Sequence, residues 1–335
     1  MSESTAGLPA EWAPQVGVML TWPHEGGGWR AELAAIEAVC VRIAVEVARR
    51  EAVLICCRDA ALGRRVRGLL RAAEVDLARV HFHRVASTDV WAREHGPVTV
   101  VRSGWPQLLD LRSSVDDPVC ASLHALGAFD AAPMTRIDLA LGGGDIETDG
   151  AGTLLITRAR LVAAATASGL AEASLCARLA ALFGLERVLT LDVDGPIDML
   201  ARFVNVTTIA YQSCDDPADP RWAAMQALAA GLAALRDRAG APYRLVPLPW
   251  PQARGSAGGE PLVPSYANFL IVNNAVLVAT HDDPADAEAI ARLTRCFPGR
   301  DVVGIDCSPV LERRRGLRGL TMHLPLPLAL GPDTA

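Results

Sequence analysis

Short apolar runs bounded by Pro, Gly or charged residues alternate along the chain with stretches of helical periodicity. Residues 16–22 (VGVMLTW) predict a buried strand ending at Pro23. A loop containing Gly26–Gly28 leads to an apolar-periodic helix from about Ala31 to Arg49. EAVLICC predicts a core strand, DAALGRRVRGLLRAA an amphipathic helix with an arginine face, and HFHRV a further strand. PVTVV and QLLDL predict two strands around a turn at Ser103-Gly104. The pattern then returns. GTLLIT is followed by helical material through residue 183 and by RVLTLDV; ARFVNVTTIAY by a helix from near Pro220 and by YRLVPLP; NFLIVNNAVLVAT by the helix ADAEAIARLTRCF and by DVVGID.

Each unit reads as two strands, a helix and another strand. Repetition of such a unit predicts an α/β fold in which small sheets are arranged radially or stacked, rather than one doubly wound sheet. No internal linker has the length or composition of a boundary, so residues 15–330 read as one domain behind a polar arm at residues 1–14. Stretches 111–130 and 250–264 read as irregular insertions, the second for its Gly, Pro and Ser content.

Composition narrows the function. The 335 residues are 51% hydrophobic and 21% charged, enough for a substantial core. A net charge of -6 gives no electrostatic case for binding nucleic acid or an anionic membrane, and it suits a small neutral or cationic substrate. The N-terminus has no basic region followed by an apolar run. No apolar run approaches the roughly 20 residues of a membrane helix, so the cytoplasm is the expected compartment. The eight cysteines form no CxxC pair and mostly sit in apolar segments, where free Cys packs as a small hydrophobe. Cys214 and Cys307, near strand ends, are the candidates for a reactive thiol.

Polar clusters fall at the ends of predicted strands: Ser87–Pro97, Gly142–Gly150, Asp192–Asp198 and Ser265–Asn268. A radial arrangement would bring these loops to one end of the axis, where concave sites are commonly built. The first cluster holds Asp89, Trp91, Arg93, Glu94 and His95. It suits either a Trp stacked on a planar ligand beside a carboxylate or a solvated loop with Trp91 anchored in the core. Gly142–Gly144 predict a close backbone approach but neither a dinucleotide fingerprint nor a P-loop. Asp149-Gly150 reads as a hairpin turn. Asp145 and Glu147 alternate with Ile146 and are expected on one face. Asp192, Asp194 and Asp198 lack EF-hand spacing and no HExxH occurs, so neither metal nor cofactor is expected. His81 and His83 read as edge-strand surface residues, Arg313–Arg315 as a solvated basic face. No nucleophile elbow supports a hydrolytic triad.

The chain resembles the agmatine deiminase and bacterial peptidyl-arginine deiminase family. The matching segments are EWAPQVGVMLTWP, DVWAREHGP, GGGDIETDGAGTLLIT, DGPIDMLARFV, and SYANFLIVNNAVLVATHDDPADAEAI with PGRDVVGID. They occur in family order over about residues 12–325. The resemblance implies a five-bladed, pseudo-symmetric α/β propeller of ββαβ-type repeats. It also implies chemistry with a Cys nucleophile, a His acid/base and two carboxylates that hold a guanidinium. Here Glu94 replaces the first Asp, Pro196 the His of Gly-His-x-Asp, and Gly319 the Cys, while Asp198 is retained. The departure is similar to the family's nitrohydrolase branch, which removes nitrite from 2-nitroimidazole. That likeness implies water activated by Glu94 or Asp198, Trp91 stacked on the ring, Asp145 accepting ring N–H bonds and Arg318 stabilising the developing anion. Asp89, Arg202 and Asn268 complete the implied substrate-binding set. The expected partner is a small planar nitrogen-containing substrate. A homo-oligomer is expected on general grounds, with a non-catalytic ligand-binding homologue and an agmatine or arginine deiminase as alternatives.

Overall fold

The computed structural model describes residues 7–112, 118–252, 254–255, 261–262, 264–313 and 315–334. Five of the six sheets among the described residues share a plan of two antiparallel strands, a helix and a third strand parallel to the second, and the first of the five carries a fourth strand in parallel. The second sheet pairs Val98–Arg102 with Trp105–Leu111 and then Met134–Ile137. The third pairs Glu147–Thr148 with Thr153–Thr157 and Arg187–Leu191. The fourth pairs Ala201–Asn205 with Thr208–Gln212 and Arg244–Leu248, and the fifth Leu270–Val272 with Ala275–Thr280 and Asp301–Asp306.

The first sheet contains both ends of the described fold. Thr321–Pro325 runs antiparallel to Gln15–Thr21, so the last strand supplies the first position of the unit. Ala52–Cys57 and Val80–Arg84 follow in parallel. Gln15–Thr21 is thus the second strand of its unit, and pattern reading alone does not show that the first comes from residues 321–325.

Periodicity explains the helices. Leu33–Ala48 buries Ile36, Val39, Cys40, Ile43 and Val47, spaced to face one side, against the first sheet. Ala60–Ala72 buries Leu62, Val66 and Leu70, and the Asp59 carboxylate caps its first turn by accepting from Leu62 N–H. Its arginine face is not merely solvated: Arg65 pairs with Glu37, and Arg67 lies over the Phe82 ring and pairs with Asp333.

Several expectations need correction. The helical material before residue 183 divides into Arg158–Ala167 and Glu172–Phe183, because Gly169 takes φ 64° and ends the first helix. The stretch read as an insertion after Leu111 contains the helix Val119–Ala125; residues 113–117 lie outside the described structure. In the second such stretch Arg254–Gly255 pairs with Pro261–Leu262, and residues 253, 256–260 and 263 lie outside. His83 is fully buried, because the C-terminal segment covers the strand: Thr334 meets the His83 ring and Gly331 the His81 ring. The turn at Asp149-Gly150 forms as expected, with the Asp149 carboxylate accepting from Ala151 and Thr153 N–H and Gly150 at φ 66°. No helix among the described residues is long and apolar enough to cross a membrane.

Candidate active site

A short loop precedes the first strand of every unit, and these five loops meet. They are the single helical turn Ala92–His95, the turns Gly143–Asp145 and Ile197–Met199, the segment Ser265–Asn268, and the turn Leu317–Leu320. Each contributes to one cavity of about 450 Å³: Glu94, Asp145, Asp198 with Met199, Asn268, and Gly319 in turn. Arg160, Arg313 and Arg315 complete the charged part of its lining. The lining contains neither cysteine nor histidine among the described residues. Cys214 and Cys307 lie buried elsewhere, and burial pushes both thiols up, so neither is a poised nucleophile.

The glycines of the second loop are there for clearance. A Cβ on Gly142 would sit 1.8 Å from Glu94 Oε2, and one on Gly143 would sit 2.4 Å from the Arg93 carbonyl oxygen. The corresponding point on Gly144 lies 3.2 Å from Asp198 Oδ2 and 3.3 Å from Glu94 Oε1. Glu94 and Asp198 therefore both approach the same bare stretch of backbone. Gly319 differs, since a Cβ there would meet Trp91 at 3.3 Å, tight but without a clash, and Arg315 at 3.6 Å, an ordinary contact.

Each carboxylate has a different setting. Burial raises the pKa of Glu94, and its ion pair with Arg315 at 2.7 Å opposes that shift without cancelling it. Asp145 accepts a two-point bond from Arg160, with both contacts at 2.8 Å. Asp198 accepts from Arg318 at 3.2 Å, and its main-chain carbonyl accepts from Asn268. Asn268 in turn accepts from Arg318 N–H, which ties the fourth loop to the fifth.

Beneath the cavity lies a buried ion cluster. Glu11 accepts from Arg93 at 3.0 Å, Arg318 at 2.9 Å and Arg202. Arg202 also pairs with Glu147 at 2.5 Å. Burial alone would raise the Glu11 carboxyl, but the three guanidinium groups outweigh it and hold the group well below the usual range. Burial likewise acts against a charged Arg318, and the surrounding carboxylates Glu11, Asp198 and Glu147 reverse the balance. Arg318 thus remains a fixed positive charge behind Asp198.

Of the eight catalytic and substrate-binding candidates from sequence, Glu94, Asp145, Asp198 and Asn268 line the cavity. The others do not. Asp89 accepts from the N–H of its neighbour Val90 and stays outside the cavity. Trp91 packs edge-on against Trp29 with ring centroids 5.6 Å apart, behind Gly319, and the guanidinium of Arg315 lies over its ring. Its face is already covered by the protein, so it does not line the cavity. Arg202 is fully buried in the ion cluster, and Arg318 reaches the cavity only through Asp198. Asp145 and Glu147 point to different places, one to the cavity and one to the cluster, because Gly143–Asp145 is a helical turn to which strand alternation does not apply. Asp192 pairs with Arg158, away from the cavity. Arg160, Arg313 and Arg315 are the lining residues that sequence reasoning missed. Arg314 lies outside the described residues.

Comparison with known proteins agrees with this architecture. The family model for the Porphyromonas-type peptidyl-arginine deiminase matches residues 7–325. An agmatine deiminase from Pseudomonas putida is 28% identical, with 96% of both chains aligned. The crystal structure of a candidate arginine deiminase from Porphyromonas gingivalis superposes with a TM-score of 0.88 at 37% identity, covering 96% of this chain and 99% of that one. An agmatine deiminase from C. jejuni shares the fold, with a TM-score of 0.83 at 24% identity over 95% of this chain and 96% of its own. The chain belongs to the Porphyromonas-type peptidyl-arginine deiminase family.

Proposed function

We propose that this protein hydrolyses a C–N bond at an sp² carbon flanked by two nitrogens, by direct attack of water, on a neutral planar substrate of which 2-nitroimidazole is the best example. One observation carries the reading: among the described residues the cavity lining offers three carboxylates and no thiol. Covalent deimination needs a thiolate at the reacting carbon. Gly319 and Pro196, at the positions where the sequence resemblance leads one to expect Cys and His, both line the cavity.

In this reading Glu94 takes a proton from water as the oxygen bonds to the ring carbon. The C–N bond to the nitro group then breaks, and its electron pair leaves on nitrite. Substrate and water become imidazol-2-one, nitrite and one proton. Nitrite departs as a stable anion, so no acid is needed on the leaving group, whereas ammonia must be protonated to leave. Glu94 takes the base role because burial raises its affinity for a proton, an effect that the Arg315 pair opposes without cancelling. In this reading Asp198 orients the ring, and Asn268 holds the Asp198 main chain in position. The convergence of five equivalent loops also supports a radial arrangement of the units, as five blades about the axis through the cluster at Glu11.

A second reading, deimination of agmatine or arginine, has the relatives' names and identity in its favour. It asks the cavity to receive a cationic guanidinium, yet Arg315 and Arg160 already occupy Glu94 and Asp145. Purified protein incubated in parallel with 2-nitroimidazole, agmatine and arginine separates the two. Nitrite with stoichiometric imidazol-2-one is the expected result. Ammonia from agmatine or arginine, with no nitrite, would replace our reading with the second.

A further inference from the structure

The chain carries a net charge of -6, yet its cavity is not acidic: Glu94, Asp145 and Asp198 face Arg160, Arg313 and Arg315 within one lining. Two of these guanidinium groups flank one carboxylate. Arg315 bonds Glu94 directly, and Arg160, forked onto Asp145, also feels the Glu94 charge. Arg313 and Arg315 come from the same strap and stack on a tryptophan pair. Arg313 lies 5.1 Å from the Trp29 ring centre, Arg315 5.2 Å from that of Trp91, and the two indoles touch edge to face. Arg313 also donates to the Gly28 carbonyl and lies 4.0 Å from the Glu32 carboxylate. Each guanidinium has five N–H donors and spends only some of them on these contacts. All three side chains stay partly open, at 38% for Arg160, 44% for Arg313 and 31% for Arg315.

We propose that Arg160, Arg313 and Arg315 form a subsite for a small planar monovalent oxyanion, which in the reaction is the departing nitrite. The assignment rests on the hydrolytic reading given above. Planar forked donors match the two oxygens of such an anion, and Arg provides them where Lys would offer a point charge. The stacked indoles hold the strap arginines in place and lower the ordering cost of binding. Arg315 has a second consequence. When it turns from Glu94 to the nitro oxygens of the bound substrate, before the C–N bond breaks, the carboxylate loses its partner and becomes the stronger base as water is deprotonated. The same three cations balance the three carboxylates of the lining, so the cavity has no excess negative charge to draw a cationic guanidine.

The test is calorimetric titration of the protein with sodium nitrite, using sodium chloride at equal ionic strength as the control. Turnover of 2-nitroimidazole is measured on the same preparations. Saturable nitrite binding is expected, competitive with 2-nitroimidazole, and weakened about tenfold or more in Arg315→Ala, as for loss of a charge-assisted hydrogen bond. Arg313→Ala, at a more exposed position, should weaken it less. Protein that releases nitrite from 2-nitroimidazole but shows no saturable nitrite binding, or binds it equally in wild type and Arg315→Ala, overturns the subsite and leaves the reaction standing. Binding through Arg315 in protein that releases no nitrite overturns the leaving-group role together with the reaction.

Discussion

Glu94→Gln is expected to lower nitrite release from 2-nitroimidazole by about 10²–10⁴-fold, the usual contribution of a positioned general base. Gln keeps the length and shape of the side chain between Gly142 and Arg315 and removes only the proton acceptor. The ion pair it gives up involves a partly exposed arginine, so the stability cost is expected at about 0–1 kcal/mol. Thermal unfolding close to wild type, with turnover lost, is therefore the signature of a chemical role. The pH profile gives the same test independently. A base works in its ionised form, so activity is present above the Glu94 pKa and falls as pH drops through it. Because burial raises that pKa, the acid limb should lie above the ordinary carboxylate value of 4.5. In Arg315→Ala the limb should move higher still, since Arg315 pulls the pKa down. An acid limb unchanged in Glu94→Gln would remove Glu94 from the base role.

Glu11→Ala is expected to cost about 3–5 kcal/mol in a urea unfolding experiment, the range for breaking a buried ion pair by removing one partner. Glu11 is 5% exposed and is the shared acceptor of three arginines that are themselves at most 2% exposed. Its removal deprives Arg93 of its ion-pair partner and leaves Arg202 and Arg318 with Glu147 and Asp198. Activity should fall as well, because Arg318 positions both Asp198 and Asn268. A loss under about 1 kcal/mol, as for a surface pair, would show that the cluster does not hold the five loops together.

The sequence made the repeating units legible because each strand is a short apolar run between turn residues, and each helix shows its buried stripe. It made part of the site legible too. Glu94, Asp145, Asp198 and Asn268 stand in polar clusters before strands, and those clusters do converge. The glycines before Asp145 read correctly as close backbone approach. What stayed hidden depends on contacts across the fold. Glu11 stands in a segment that reads as a polar arm, and only the three arginines gathered from distant loops draw it inside. Arg160 opens a helix and Arg315 sits in a basic run, so both look solvated until their carboxylates, brought by other units, are seen. Trp91 and Arg202 failed as ligand contacts for the opposite reason. Each is engaged by protein neighbours, Trp29 with Arg315 and Glu11 with Glu147, that local pattern cannot reveal.

The central claim, that water itself attacks the carbon, is tested most directly by one turnover of 2-nitroimidazole in ¹⁸O-water with enzyme in excess. The account predicts imidazol-2-one carrying ¹⁸O and an enzyme whose intact mass is unchanged. Unlabelled product with ¹⁸O in a carboxylate of the enzyme, or a covalent adduct on the quenched protein, would contradict it and establish an enzyme nucleophile instead.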